Sequence, residues 1–407
     1  MTLIECFDRS PMENIAGCLY LRPDKLILLG DRERMEQPAR RYRALLKHRG
    51  LDIQVVLQGI RKNDLAGTAA VLADIVRREQ DCVIDLSGGD EQTIMAVGAM
   101  MASIDRDLRQ RVSVQKFDPE RGTVLHCDSD GCTVSDSPAA LTVGELVALN
   151  GGSATTETHQ ISKDCGPRDL DRLWSMVTAD PKKWNRSIAL LGEFESRSDS
   201  KDQIHLDLEE LRGRIRNFDE KEPRIRDLLE EFRDRDIISD RSSWDTLRYR
   251  YTSPLLRYCT QKAGNVLEIK TLLEARALQE DGKPYFDDCQ MSVTIDWDGI
   301  THHPMERIPE TRNEIDVVLT RGLTPLFISC KNGDIGDEEL YKLHTVATRF
   351  GGPHARKMLI ATDLDRKSAA ANRSFVQRAW DMDIFVVTDA AELSREDWAE
   401  TFKTAML

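Results

Sequence analysis

Two short runs in the last third of the chain carry side chains suited to hydrolytic chemistry. Asn313-Glu314-Ile315-Asp316-Val317-Val318 is followed, after a turn, by Leu326-Phe327-Ile328-Ser329-Cys330-Lys331. Strand alternation places Glu314 and Asp316 on one face of the first run, and Ser329 and Lys331 on one face of the second. If the two runs pair in register as a hairpin, Asp316 and Lys331 meet at one end of the sheet. An acid there can hold a divalent cation, and a lysine can orient or activate water and offset phosphate charge. Glu268, in the helical run Gly264-Asn265-Val266-Leu267-Glu268, can reach the same place. Taken alone, an Asp and a Lys across a hairpin are equally an ordinary surface ion pair.

A second constellation lies near the N-terminus. Asp85-Leu86-Ser87-Gly88-Gly89-Asp90-Glu91 falls where a buried strand ends and a helix begins. Two glycines let backbone N–H groups approach a ligand, and the start of a helix favours phosphate or ribose oxygens. The turn after the first strand, Asp8-Arg9-Ser10-Pro11-Met12-Glu13-Asn14, brings hydroxyl, amide and guanidinium groups to the same sheet edge, where open α/β sheets bind ligands.

The elements that must position these groups follow from periodicity. Apolar runs at Thr2–Phe7, Lys25–Gly30, Ile53–Leu57 and Cys82–Leu86 alternate with helical spacing, the pattern of parallel βαβ units. Asp64 caps one such helix, Leu65, Leu72, Ile75 and Val76 recur along it, and Arg77 and Arg78 sit near its C-terminal end. Val112–Phe117 and Thr123–Cys127 flank a turn, so residues 1 to 150 predict a doubly wound, Rossmann-like sheet closed by a hairpin. A short helix over Leu141–Leu149 ends at Asn150-Gly151-Gly152, and the polar stretch through Thr158 reads as a linker.

Residues 151–250 form a charged connector with helical stretches at Leu206–Ile215 and Ile225–Arg235. Its tail, a turn and two strands after a helix, suggests a winged-helix-like unit. Residues 251–407 read as an α/β domain. Its order is a helix at Val266–Leu278, strands at Gln290–Asp296, Glu314–Leu319 and Pro325–Ser329, a helix at Glu338–Phe350 and a strand at Lys357–Ala361. A helix at Ser368–Trp380 and a strand at Ile384–Val387 complete it.

Composition sets limits. The 407 residues exceed one hydrophobic core, and 57 Lys plus Arg against 70 Asp plus Glu give a net charge of −13, which argues against static binding of a duplex over a broad basic face. A nuclease is not excluded, since its site needs local acids and only a basic rim. The acidic start and the lack of a long apolar run predict a cytoplasmic protein without a membrane span. Nine cysteines, scattered along the chain, suit reduced thiols better than a disulfide framework. His126, Cys127 and Cys132 are half of a zinc cluster with no second half at ligand spacing. His302-His303 before Pro304 reads as an exposed loop, and His344 as a packing residue. Arg241, Arg248, Arg250 and Arg257 interleave with Trp244, Tyr249, Tyr251 and Tyr258; the preferred reading is a connector packing its aromatics, the second a guide for a nucleic-acid strand.

The N-terminal pattern resembles the CARF domain of CRISPR-associated ancillary proteins, through the strand-Asp-x-Ser-Gly-Gly turn carried by Asp85, Ser87, Gly88 and Gly89 and the helix LTVGELVALNGG. The C-terminal trio resembles the PD-(D/E)xK nuclease core, with Asp316 as the metal-binding Asp, Lys331 as the motif lysine and Glu268 as the helical acid. Together these resemblances imply a nuclease of type III CRISPR antiviral defence, dependent on Mg²⁺ or Mn²⁺ and acting on DNA, RNA or both. They also imply a homodimer gated by a cyclic oligoadenylate, cyclic tetra-adenylate being the usual activator. Asp8, Arg9, Ser10, Asn14, Ser87, Gly88, Gly89 and Asp90 are the expected activator-binding residues.

Two departures stand out. The CARF pattern often has Thr-Lys after the glycines where this chain has Asp90-Glu91, so either these acids face ribose hydroxyls or Arg9, Arg32 or Arg34 supplies positive charge. The nuclease motif has an acid two residues before its lysine, where this chain has Ser329. Glu314 and the Cys330 carbonyl are the substitute ligands beside Asp316 and Glu268. The alternative function is a cyclic-oligonucleotide-responsive DNA-binding regulator with a degenerate nuclease domain.

Overall fold

The computed structural model describes every residue except 120, 157–166, 199, 201–202, 301–310, 334 and 365–367. His302, His303 and Pro304 therefore lie outside the described residues. The chain opens with β1 (Thr2–Cys6), α1 (Pro11–Leu21), β2 (Lys25–Gly30), α2 (Arg32–His48), β3 (Gln54–Gly59), α3 (Leu65–Arg78), β4 (Cys82–Asp85) and α4 (Glu91–Ser103). A short α5 (Arg106–Arg109) leads to β5 (Val112–Asp118), β6 (Thr123–Asp128) and β7 (Gly131–Asp136). The sheet order is β3-β2-β1-β4-β5-β6-β7, parallel through β5 and antiparallel in the closing strands, as the alternation of apolar runs and helices predicts. Side-chain caps from Asp31, Asp64 and Asp90 start α2, α3 and α4, satisfying N–H groups that have no partner in the helix.

Next come α6 (Val143–Leu149), begun by a Thr142–Glu145 capping box, and β8 (Ser153–Thr155). The connector holds α7 (Pro167–Ala179), α8 (Pro181–Glu195), β9 (Ile204–Asp207), α9 (Leu208–Arg212), α10 (Phe218–Asp234), β10 (Ile238–Asp240) and β11 (Thr246–Tyr251). The last part is α11 (Pro254–Gln261), α12 (Asn265–Ala277), the small pair β12 (Gln279–Glu280) and β13 (Lys283–Pro284), then β14 (Asp288–Asp296), β15 (Arg312–Arg321) and β16 (Thr324–Lys331). It ends with α13 (Glu338–Gly351), β17 (Arg356–Ala361), α14 (Ala369–Asp381), β18 (Ile384–Val387) and α15 (Arg395–Met406). Its sheet runs β18-β17-β16-β15-β14-β8.

That order corrects the expected linker. Ser153–Thr155 is the edge strand of the C-terminal sheet, pairing with Thr294–Asp296. The boundary near 150 is no break in packing either: Leu3, Tyr42 and Leu146 share one apolar core with Val293, Phe327 and Phe350. A second core joins the connector to the other face of that sheet, through Leu173, Trp184, Phe194, Leu272, Ile328 and Trp398. Leu206–Ile215 is not one helix. Alternation of buried Ile204 and Leu206 with exposed His205 and Asp207 makes its start a strand, and Asp207 then caps α9. The cysteines also need one correction, because Cys127 and Cys132 face each other across the β6–β7 hairpin and form a disulfide. Cys6, Cys18, Cys82, Cys259, Cys289 and Cys330 are buried and outside this disulfide. No helix among the described residues is long and apolar enough to cross a membrane.

Candidate functional site

β15 and β16 pair from Arg321↔Thr324 as far as Val317↔Ile328 and then part. Asp316 enters the gap: its Oδ2 accepts the Cys330 N–H at 2.6 Å and the Ser329 hydroxyl at 3.2 Å, and lies 3.6 Å from Lys331 Nζ. The two runs thus pair as a hairpin, and Asp316 and Lys331 meet at its splayed end. In the ladder to β17 the Lys331 carbonyl accepts the Thr362 N–H. Alternation then turns the carbonyl of Cys330, like its N–H, towards Asp316.

On the other side of β15 the ladder with β14 is also disturbed. Met291 faces Val317 and Val293 faces Ile315, while Ser292 and Asp316 between them drop out. Ser292 is buried with φ 47°, a left-handed conformation that costs a residue with a Cβ on the order of 1–3 kcal/mol. As a result Ile315 and Val317, which strict alternation would place on one face, belong to opposite cores. This distortion sets Asp316 where helices from both layers reach it.

Glu268 comes from α12 on one side, half-buried in its first turn. Burial, then the nearby charges of Asp316 and Glu314, push its carboxyl up to about 8, while Lys262 and Lys331 oppose the shift. From the other side, α13 supplies an acid that the sequence reading missed. Glu339 Oε2 lies 3.0 Å from Lys331 Nζ and lines one crevice with Glu314, Asp316 and Ser329. Burial alone would lower the Lys331 pKa, but Asp316 and Glu339 outweigh it and raise it, so the ammonium stays charged. The connector reaches this end too: Asn185 of α8 donates to the Asn332 carbonyl at 2.7 Å.

Three crowded carboxylates and a carbonyl are the hard-oxygen donor set that Mg²⁺ or Mn²⁺ prefers, and a divalent cation would relieve the repulsion raising Glu268. Among the described residues no three His, Cys, Asp or Glu side chains close around one point at ligand distance. A cation held here therefore keeps much of its water, as Mg²⁺ commonly does.

The edge of the N-terminal sheet is built as tightly. Asn14 is fully buried and staples the loop after β1: its Oδ1 accepts the Asp8 N–H, and its Nδ2 donates to the Asp8 and Ser10 carbonyls and the Tyr42 hydroxyl. Asp8 accepts the Ser10 N–H. Asp85, also buried, accepts the Ser87 N–H, the Ser87 hydroxyl and the Gln115 amide, and Ser87 Oγ in turn accepts the Phe117 N–H at 2.7 Å. Asp90 is spent on its helix cap, accepting the N–H and hydroxyl of Thr93. The glycines serve close packing as well: a Cβ on Gly88 would lie 2.7 Å from the Cys6 carbonyl oxygen, and Gly89 has φ +90°.

Two clefts open at this edge, the first between it and α13. One, of ≈ 700 Å³, is lined by Arg9, Ser10, Trp297, His344, Arg349 and Gly352. The other, of ≈ 530 Å³, is lined by Ser87, Lys116, Arg121 and His354 among others. Cations thus come from Arg9 and from Arg349, Lys116 and Arg121, which the sequence reading did not single out. Arg32 and Arg34 line neither cleft.

No protein-family model and no curated protein matches the chain. Solved structures do. The crystal structure of protein VC1899 from Vibrio cholerae is similar over 100% of this chain and 97% of that one, at 15% identity and a TM-score of 0.72. Can2 from Sulfobacillus thermosulfidooxidans, solved in complex with cyclic tetra-adenylate, is similar over 100% and 97%, at 14% identity and a TM-score of 0.64. At such identities the likeness speaks for the fold. The chain has the architecture expected of it: a Rossmann-like N-terminal domain, a connector, and a C-terminal α/β domain.

Proposed function

We propose that this chain is a metal-dependent nuclease gated by cyclic tetra-adenylate. The observation that carries the reading is the splayed β15–β16 end, where Asp316 and Lys331 lie 3.6 Å apart and both act electrostatically on Glu268. The full-length likeness to a protein solved with cyclic tetra-adenylate supports the activator. In this reading residues 1–150 sense the activator, 151–250 connect and 251–407 cut DNA, RNA or both, in type III CRISPR defence. The active form is a homodimer, whose two-fold symmetry suits a ring of repeated nucleotides.

Asp316, Glu268 and the Cys330 carbonyl would hold the cation, with Glu314 beside them. When bound, it would supply charge for the attacked phosphate and acidify a water. Lys331, kept protonated by its two acid neighbours, places a positive charge on the phosphate and orients the attacking water. On the activator side Arg9 and Ser10 of one loop, and Ser87 with the Gly88-Gly89 backbone of the other, present the polar edge, which Asn14, Asp8, Asp85 and Asp90 hold in shape.

The test is cleavage of supercoiled plasmid and of single-stranded RNA by the purified protein with Mn²⁺, with and without cyclic tetra-adenylate. Cleavage that needs both metal and activator is expected. A protein that binds the activator yet leaves every substrate intact at saturating Mg²⁺ or Mn²⁺ is a regulator with a lapsed site at Ser329, and the nuclease reading fails.

A further inference from the structure

The connector sheet, in order β10-β11-β9, has two unlike faces. The inner one buries Ile204, Leu206, Leu247, Tyr249 and Tyr251. The outer one carries a row of cations. Arg248 pairs with His205 of β9, and on its other side the ladder continues through the Arg241 N–H, donated to the Arg248 carbonyl at 2.7 Å. Residues directly opposed on antiparallel strands share a face, so Arg241, Arg248 and His205 stand side by side, with Arg250 in the next row opposite Ser239.

Arg241, Arg248, Arg250 and His205 are all exposed, and none of the three arginines has a side-chain ion-pair partner among the described residues. The nearby acids are engaged elsewhere. Asp240 pairs with Tyr249 and shares its inner side, Asp207 caps α9, and Asp245 accepts the Ser243 hydroxyl within the turn. Like charges set directly opposite each other destabilise a sheet. A chain of net charge −13 had acids to spare for neutralising this row, and it does not use them. At the tip of the same hairpin Trp244 is 94% exposed, while Arg226 of α10 donates to the carbonyls of Ser243 and Trp244 and so fixes the turn that presents the indole.

We propose that this face binds a single strand of nucleic acid, with its phosphates along Arg241, Arg248 and Arg250 and a base stacked on Trp244. The cations fit a polyanion, and the bare indole selects one whose bases are unpaired, since stacking needs an open base face. One rigid helix ties this face to the catalytic end. The Tyr249 and Tyr251 hydroxyls donate to Glu195 at the close of α8, and ten residues earlier Asn185 holds Asn332 beside Lys331. Ten helical residues span about 15 Å, a gap that a few nucleotides cover. The destination of the strand rests on the nuclease reading; the binding step does not.

The test uses the full chain in EDTA, without activator, and a short fluorescein-labelled oligothymidylate followed by anisotropy over a range of salt. Charge reversal of Arg248→Glu with Arg250→Glu weakens binding about tenfold or more at low salt and lowers the salt slope by about 1.4, the share of two phosphate contacts to a single strand. Trp244→Ala weakens binding several-fold without changing the slope, about the loss of one stacked base, and Trp244→Phe retains it. The double reversal melts no earlier than wild type, because the exchange relieves like-charge pairs. Unchanged affinity and slope in the reversal overturn the proposal, as does a face that holds phosphatidylserine vesicles but not the oligonucleotide. Wild type that binds the strand through this face and never cuts supports the surface and counts only against the nuclease reading.

Discussion

His354 Nε2 lies 2.9 Å from Glu13 Oε1, joining the C-terminal domain to the first helix of the N-terminal domain across 341 positions of sequence. His354 stands just beyond the end of α13, where the Phe350 carbonyl accepts the Asn150 amide and Gly352 approaches Ser10. At the opposite end of α13 Glu339 pairs with Lys331. Fourteen helical residues span about 21 Å, so one helix has an end at the loop edge of the N-terminal sheet and an end at Lys331.

In the proposed reading, this arrangement makes the His354–Glu13 contact a coupling element. His354→Ala should lower the activation ratio, cleavage with activator over cleavage without it, by about tenfold, within the range of ordinary allosteric coupling. Calorimetry should find activator affinity little changed. An unaltered ratio removes α13 from the coupling route.

Glu339 should matter for the missing motif acid. Ser329 brings a hydroxyl where the motif has a carboxylate, and Glu339 opens on the same crevice from α13. Glu339→Gln is expected to weaken Mn²⁺ binding, measured by calorimetry, and to cut cleavage about tenfold or more, the size of a lost catalytic contact. Ser329→Glu in that background should recover both. Loss of cleavage with Mn²⁺ affinity intact and no rescue would mean that Glu339 only steadies Lys331.

Gly88 should behave as a packing residue as much as a ligand-edge one. A Cβ there meets the Cys6 backbone at 2.7 Å, so Gly88→Ala should lower stability by about 1–3 kcal/mol, the range for overpacking, read by denaturant melts. Arg9→Ala, at an exposed position, should weaken activator binding without that loss. Equal stability of Gly88→Ala and wild type would show that the two loops yield to the added methyl group and that Gly88 is not a packing residue.

Glu5 offers a pH test. Its carboxylate is fully buried beside Asp85 and Glu13, and neither oxygen has a hydrogen-bond partner among the described residues. Burial, then the charge of Asp85, raises its pKa well above the ordinary value. The folded protein therefore holds a proton that the unfolded chain gives up near pH 4.5, and stability falls as pH rises from there towards the folded pKa. Glu5→Gln is neutral throughout. Its stability relative to wild type should grow with pH, by up to about 1.4 kcal/mol per unit, in melts taken between pH 5 and 8. A difference independent of pH contradicts the buried proton.

The strands and helices that bury an apolar face were legible in the sequence: β2 and β18 match their expected bounds, α12 is displaced by one residue, and α13 starts as expected and runs one residue further. β7 was missed because Gly131–Asp136 is exposed throughout and gives no alternation. α7 and α8 were hidden by the charge of their outer faces. Asp316 and Lys331 could be named from spacing because the two runs pair as a hairpin across a short turn, and Glu268 because it falls in the first turn of α12. Glu339 could not, since which face of α13 meets β16 is decided by packing across the sheet. The distortion at Ser292 has no signature in residue type, and in the Arg–Tyr tract Tyr249 and Tyr251 turned inward while Arg241, Arg248, Arg250 and Trp244 turned out.

The central claim is that Asp316 and Lys331 form a catalytic centre separate from the activator site. The direct measurement is metal-dependent cleavage by Asp316→Ala and by Lys331→Ala, alongside calorimetric binding of cyclic tetra-adenylate to each. The account predicts that both variants lose cleavage by about 100-fold or more while binding the activator as wild type does. Cleavage that survives in either variant, with its metal and activator dependence intact, would place the chemistry elsewhere and contradict the account.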